Sequence, residues 1–391
     1  MGARSLQVTV QPRVLVWARE TAGMSVGDVA KRLKANEDSL AKWEDGRGRP
    51  TIVQLRKLAR IYKRPLAAFF LPAPPDEPAL PKDFRTLSPQ NRKPFSFETR
   101  LAIRRARRLQ SLAKELTEEL EGGGIAGMPP LSLQDAPETA AAKIREYLGI
   151  DLYTQFAWQS EKEAFGKWET ALEKRGLITF QLPFPFEEAR AFSLADERFP
   201  AVVLNLRDST TGRIFSLFHE LAHLLLNEVG ICDIGDASIL SPEEARVETY
   251  CNRLAADILV PEDALLNQPS VASVAGPSEW EDPPLADLAR LFKVSKEVIL
   301  RRLLSFGRTT EAFYERKRAE WQEKAKERAR RKGGRKLPPA RHCVRENGVA
   351  FVSLVLSAYQ RGDVSCADVV DYLGIRLKYI PAVEQLAGRA Y

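Results

Sequence analysis

The sequence predicts an α+β protein, mostly helical, 391 residues long. Three observations predict it. Residues 12–71 place apolar side chains at three- and four-residue spacing behind cap-type residues, the pattern of short packed helices. Between residues 177 and 206 the pattern becomes short runs rich in branched and aromatic side chains, LITFQL and AVVLNL, which read as strands of a small β-sheet. After Arg213 helical periodicity returns and continues into a helical C-terminal extension.

The composition is globular, 44% hydrophobic and 28% charged, enough for a sizeable core in two to four domains. The net charge of +7 is unevenly spread. Residues 1–71 carry 14 Lys/Arg against 6 Asp/Glu, residues 316–336 carry 11 against 3, and the remainder is about −9. Two basic segments on an acidic body point to a local polyanion contact. Cys232, Cys251, Cys343 and Cys366 are scattered, with no CxxC pair, which argues for a reducing compartment without a disulfide framework. Cys343 follows His342 without further ligands nearby, so a surface or half-buried thiol is expected. The sequence opens without an apolar signal region and has no run near the ~18 apolar residues of a membrane span, so a cytoplasmic, non-membrane protein is expected.

Taken in order, Arg13–Ala22 reads as an amphipathic helix closed by Gly23. Ser25 caps Val26–Leu33, Asn36 caps Glu37–Glu44, Pro50-Thr51 opens Ile52–Tyr62, and Pro65 opens a short helix ending at Leu71. Two short helices across a tight turn, followed by a packed pair, are helix-turn-helix geometry. SVGDVAKRLKANEDSLAKWEDGRGRPTIVQLRKLARIY resembles the Xre/Cro-like helix-turn-helix family. The resemblance implies a domain over 1–71 whose Asn36–Trp43 helix would enter the major groove of double-stranded DNA, with Asn36, Ser39 and Lys42 as exposed contacts. Glu37 and Asp38 at that helix start oppose a phosphate, so binding of a protein partner or dimerisation is the competing use.

Residues 72–135 are expected to connect. Leu71–Pro81 holds five prolines and reads as an extended linker, with 83–91 irregular. Ser96 then caps a basic helix, Phe97–Leu120. Its Arg100, Arg104, Arg105, Arg107 and Arg108 are expected to form a solvated face pairing with Glu115, Glu118, Glu119 and Glu121. Gly122-Gly123-Gly124 ends it.

Residues 136–306 should form an α+β domain: helices Pro137–Leu148 and Lys162–Arg175, strands Leu177–Leu182, Arg190–Leu194 and Ala201–Leu206, and then FSLFHELAHLLL over Phe215–Leu226. That stretch contains His219-Glu220-Leu221-Ala222-His223. Residues four apart on a helix share a face, so His219 and His223 can turn two imidazoles to one metal ion, while Glu220 projects about 100° aside. A lone His on an apolar helix is usually a core residue. Here two of only three His in the chain flank a Glu at the spacing of the zinc metalloprotease signature. The open edge of the strand just before this helix could pair with an extended peptide and lay its carbonyl across the metal.

A third ligand is needed, and His342 is the one imidazole left. Glu248 in RVETYCNRLAADILVP is the better candidate, 25 residues past His223 and beyond a loop at 230–242. Asn252, four residues on, shares its face and could hold the loop or orient a ligand. Glu243 and Glu244 compete but sit at a helix start, where acidic residues suit the dipole. His219, His223 and Glu248 would leave one coordination position for water. For the oxyanion donor, Tyr250 is a guess.

FPAVVLNLRDSTTGRIFSLFHELAHLLL followed by VETYCNRLAADILVP resembles the ImmA/IrrE family of metallopeptidases, members of which often carry an Xre-like domain in front. The resemblance implies a zincin-like metallopeptidase domain with His219, His223 and Glu248 as metal ligands and Glu220 as catalytic base. For some relatives it implies cleavage of a repressor. The cofactor expected is Zn2+, with Mn2+ or Fe2+ open.

Further on, Leu285–Leu304 imitates a second helix-turn-helix and is expected to support the catalytic domain. Residues 307–391 read as a charged helix, Thr310–Arg331, a basic linker RRKGGRK, and a small helical unit with Val349–Tyr359 and Ala367–Leu373 apolar. The expected function is a metal-dependent endopeptidase acting on a protein or peptide, a repressor- or antitoxin-like regulator, with residues 12–71 bringing it to DNA or a DNA-bound substrate. The rival is a DNA- or protein-binding transcription regulator, itself antitoxin-like, whose metal site is structural or silent.

Overall fold

The computed structural model describes residues 6–78, 82–83, 94–117, 128, 130–227, 230–232, 241–331 and 337–388. The chain divides into two compact units, one of residues 1–80 with 92–105, the other of 81–91 with 106–391.

The first unit is helical: α1 Pro12–Thr21, α2 Val26–Leu33, α3 Glu37–Glu44, α4 Ile52–Tyr62, a 3-10 turn Leu66–Phe70, and the first turns of α5, Phe97–Glu115. Capping sets these lengths. Ser25 and Asp28, and Thr51 and Gln54, form reciprocal capping boxes, while the Asn36 side chain accepts from the Asp38 amide. Leu15, Val29, Leu33, Leu40, Trp43, Leu55, Leu58, Tyr62 and Phe69 close one core, and the Arg19 guanidinium reaches Glu44 at 2.9 Å. The α5 arginines differ from expectation. Arg104 donates to the carbonyls of Tyr62 and Lys63, satisfying the end of α4, and Arg100 donates to Phe95 O. Glu118, Glu119 and Glu121 lie outside the described residues, as does the Gly122–Gly124 stop.

The second unit is built on a five-stranded sheet ordered β1-β5-β3-β4-β2. Its strands are β1 Lys82–Asp83, β2 Ile178–Leu182, β3 Ala191–Leu194, β4 Ala201–Asn205 and β5 Gly230–Cys232. β2 runs parallel to β4, and β3 runs antiparallel to both β4 and β5. β4, the strand before the His-bearing helix, therefore has no open edge: β2 covers one side and β3 the other. The expected peptide-pairing edge is not there, because pairing follows space rather than sequence order. β1 and β5 stand where irregular chain was expected; two and three residues are too few to show a period.

Every side chain of β2, β3 and β4 is buried, as in a sheet covered on both faces. Of the helices that follow, α8 Glu161–Glu173 and α9 Thr210–Leu225 pack on the strands, α10 Pro242–Leu259 packs on α9, and α6 Pro137–Leu148 packs on α10, with α7 Leu152–Ala157 next in the chain after α6. Then follow α11 Glu262–Leu266, α12 Pro269–Ala272, α13 Asp282–Phe292, α14 Lys296–Ser305 and α15 Glu311–Arg331. The chain closes with α16 Pro339–Asn347, α17 Val349–Arg361, α18 Cys366–Leu373 and α19 Ile380–Ala387. No described helix is long and apolar enough to cross a membrane. Arg108 of α5 pairs with Asp371 of α18 rather than with a nearby glutamate. Cys343, expected at or near the surface, is buried, with its thiol facing Leu373 O at 3.5 Å. The basic linker at 332–336 lies outside the described residues.

Trp168 of α8 is wholly buried and meets Trp158 and Phe218 edge-on, at ring separations of 5.3 and 4.9 Å. Phe218 precedes His219, so this cluster seats the centre of α9. Trp168→Ala is expected to destabilise this unit by about 3–5 kcal/mol. Chemical denaturation reads this as an earlier midpoint, and a shift worth under ~1 kcal/mol would show that the ring does not carry the packing.

Candidate metal centre

α9 is an apolar helix in which Thr211 and Arg213–Leu225 are all buried. The Ser209 side chain accepts from the Gly212 amide and fixes its start. Its spacing brings His219 and His223 to one face, with their Nε2 atoms 3.2 Å apart. α10 packs alongside, and Glu248 enters between the imidazoles, with Oε2 3.3 Å from His219 Nε2 and Oε1 3.2 Å from His223 Nε2.

Three buried side chains anchor the end of α10. Arg145 donates to Ile258 O, Gln155 Nε2 to Leu259 O, and Arg302 Nε to Val260 O, while the Arg302 guanidinium also pairs with Asp257. These groups come from α6, α7 and α14. They satisfy carbonyls that α10 leaves open and so fix the depth at which Glu248 sits.

His219, Glu220, His223 and Glu248 are 0–1% exposed. Burial alone would raise the Glu248 carboxyl, but His219 and then His223 outweigh it and hold the group below the ordinary carboxylate range. Burial pushes Glu220 up, and the two imidazoles offset only part of that. Both Glu220 oxygens and His219 Nδ1 are buried without a hydrogen-bond partner. Leaving such groups unmatched is costly unless an ion or a reacting molecule completes them.

The donor set fits a divalent metal. One nitrogen or oxygen from each of His219, His223 and Glu248 lies within 4.8 Å of the others, the one such group of His, Cys, Asp and Glu among the described residues. The edges of the triangle, 3.2 to 3.3 Å, approach the edge of about 3.4 Å for a tetrahedron of ligands about 2.1 Å from its centre. Two imidazoles and one carboxylate suit zinc, iron or manganese.

The other residues singled out in the sequence lie elsewhere. His342 sits on α16 with Nδ1 3.6 Å from Glu346. Glu244 accepts from the Ser241 amide and caps α10. Asn252 lies one turn past Glu248, but its Oδ1 is buried without a hydrogen-bond partner. It lines a cavity of about 480 Å3 together with Phe215, Arg190 and Arg301. Phe215 stacks on His219 at 6.4 Å, so this hollow begins one turn from the triangle. A larger hollow, about 780 Å3, lies among Glu138, Glu146 and Glu262 and includes none of the four buried side chains. Tyr250 lies by Asp135 and Glu138, where burial first and those charges next push its phenol up to about 12.

In the first unit, Asn36 and Lys42 are exposed and Ser39 is half-buried. Asn36 Oδ1 is already used in capping, at 3.1 Å from the Asp38 amide.

Two neighbours of the triangle carry no sequence signal. Cys251, one turn after Glu248 and fully buried, interacts with His223 through its thiol. Ser193 on β3 faces Glu220 and lowers its pKa, though the two do not meet at full hydrogen-bond geometry. Both are single small residues outside any motif, and only the fold brings them to the site.

Residues 172–304 match a peptidase family described as the IrrE N-terminal-like domain, a span that includes His219, Glu220, His223 and Glu248. Residues 13–68 match a helix-turn-helix domain. Neither the curated proteins nor the solved structures include a match to this chain. One polypeptide thus carries a stretch similar to helix-turn-helix domains ahead of a stretch similar to the IrrE N-terminal-like domain of a peptidase family.

Proposed function

We propose that this protein is a metal-dependent endopeptidase whose substrate is a regulatory protein, repressor- or antitoxin-like, approached through residues 12–71. The observation that carries this reading is the convergence of His219, His223 and Glu248 beside a carboxylate, Glu220, that ligates nothing. His219, His223 and Glu248 would hold the metal, with zinc the first candidate and manganese or iron the others. A divalent ion bound there supplies Lewis acidity, acidifying water and polarising a peptide carbonyl. Glu220 takes the proton of the attacking water and returns it to the leaving amine. The enclosing apolar helix excludes bulk water and strengthens every charge interaction in the site.

One observation favours the other reading, a DNA- or protein-binding regulator whose metal site is structural or silent: all four side chains are closed off from solvent. Against it stands the ligand count. A structural zinc site is normally closed by four protein ligands, and three converge among the described residues.

Chelation separates the two readings. A candidate regulator, encoded beside this chain, is incubated with the purified protein before and after metal removal, and zinc, manganese and iron are then restored one at a time. Cleavage that disappears with the metal and returns with one of them is expected. Cleavage that survives chelation, or a folded metal-loaded protein that leaves every such regulator whole, would sink the peptidase reading.

A further inference from the structure

The C-terminal helical unit, residues 337–388, seats on the outer strand of the sheet through a buried polar chain that the metal site does not use. Gly348 opens α17 at φ +74, and a Cβ there would stand 2.3 Å from Thr179 O, so only glycine lets the unit approach the β2 edge this closely. Phe351 meets Phe180 edge-on at 5.8 Å. Below them the Ala350 amide donates to Glu173 Oε2 at 3.3 Å, placing a carboxylate at the α17 N-terminus.

The hydrogen-bond arithmetic at that point is constrained. Thr179 Oγ1 lies 2.8 Å from Glu173 Oε1 and 3.0 Å from Glu169 Oε1. A hydroxyl has one proton to give, so it can serve only one carboxylate. Both contacts are hydrogen bonds only if the other carboxyl carries a proton and donates to the Thr179 oxygen. Gln181 Nε2 adds a donor to Glu169 at 3.2 Å, and Gln181 in turn accepts from Arg213 of α9. The charged groups facing the pair are Arg213 and, beyond it, Arg345 of α16 and Asp208 ahead of α9. Glu169 is buried, and although part of the Glu173 side chain is exposed, its carboxyl group is enclosed.

We propose that docking of the C-terminal unit on β2 and α8 is proton-coupled: Glu169 and Glu173 share one proton while the unit is seated and lose it to water when the unit lifts. Burial raises both carboxyls, and for Glu173 the neighbouring Glu169 raises it further, which agrees with a proton retained in the seated state. Groups whose pKa is raised in the docked state contribute fully below the ordinary glutamate value, about 4.3, and their contribution is lost as pH climbs through the raised value. The latch therefore tightens in acid and loosens towards neutral and alkaline pH. Its far end rests on α9 through Arg213, six residues before His219.

Hydrogen exchange on the full chain tests this. Protection of the α17 amides, corrected for intrinsic exchange, should fall with rising pH from about pH 5, by up to about tenfold per unit for one proton. Protection of α13, remote from the pair, should stay level. Glu173→Gln and Glu169→Gln each provide a neutral side chain with its own N–H donors, so each should keep α17 protected and remove its slope. Gly348→Ala unseats the unit and should lower protection at every pH, again without a slope. A flat wild-type profile, or an unchanged slope in both glutamine variants, overturns the proposal. If either glutamine variant fails to protect α17 at any pH, the other variant and the wild-type slope relative to α13 decide.

Discussion

Glu220→Gln is expected to keep its metal and to lose proteolysis by about 10²–10⁴-fold. The reasoning is steric as well as chemical. Glutamine has the size and shape of the acid, so the packing of α9 around a fully buried position is preserved. Neither Glu220 oxygen belongs to the His219, His223, Glu248 triangle, so the donor set is untouched. What is lost is the one carboxylate beside that triangle, among the described residues, that is free to take a proton from water. The variant also replaces a buried carboxylate lacking hydrogen bonds with a neutral amide, so no large fall in thermal stability is expected. Metal content by elemental analysis and cleavage rate on the same preparation are the two readouts. Full activity with metal retained would remove Glu220 from the role of base, and loss of the metal would place its carboxylate among the ligands.

How much of this was legible in the sequence depends on range. Local signals carried far. Ser25, Asn36 and Thr51 cap the helices their positions announce, and the four-residue interval between His219 and His223 is enough to put both rings on one face. Sheet order was not legible, because β2 pairs with β4 across the intervening β3, and nothing in a five-residue apolar run identifies its neighbour. Charged side chains misled for a related reason. In the sequence, the arginines of α5 look like a solvated helix face, and nothing marks the glutamates of α8. In the fold, Arg104 closes the end of α4, and Glu169 and Glu173 lie under the C-terminal helices. Arg145 reaches a carbonyl 113 residues away, a partner that no periodicity could point to. The core of the site is thus local and readable, whereas the groups that hold it in place are distant and are not.

The same distinction sets the second large effect, on metal affinity. Glu248→Ala should weaken binding by more than about a hundredfold, beyond the roughly 10–100-fold cost of losing a residue that merely supports a ligand. The carboxylate supplies one corner of the triangle and, as the negative group between two imidazoles, draws a cation into the buried enclosure. Asn252→Ala should change affinity by less than about tenfold, because its Oδ1 contacts no ligand here. His342→Ala should change nothing, since that ring is half exposed and sits beside Glu346. Competition with a coloured chelator ranks the three variants in one experiment. If Glu248→Ala binds like wild type while His342→Ala loses the metal, the third corner has been assigned to the wrong side chain. If Asn252→Ala falls as far as Glu248→Ala, the buried Oδ1 turns to a ligand once the ion is bound, and Asn252 joins the groups on which α10 depends to present Glu248. Either result would be read in the metal alone, before any substrate is known, which makes the ligand set testable independently of proteolysis.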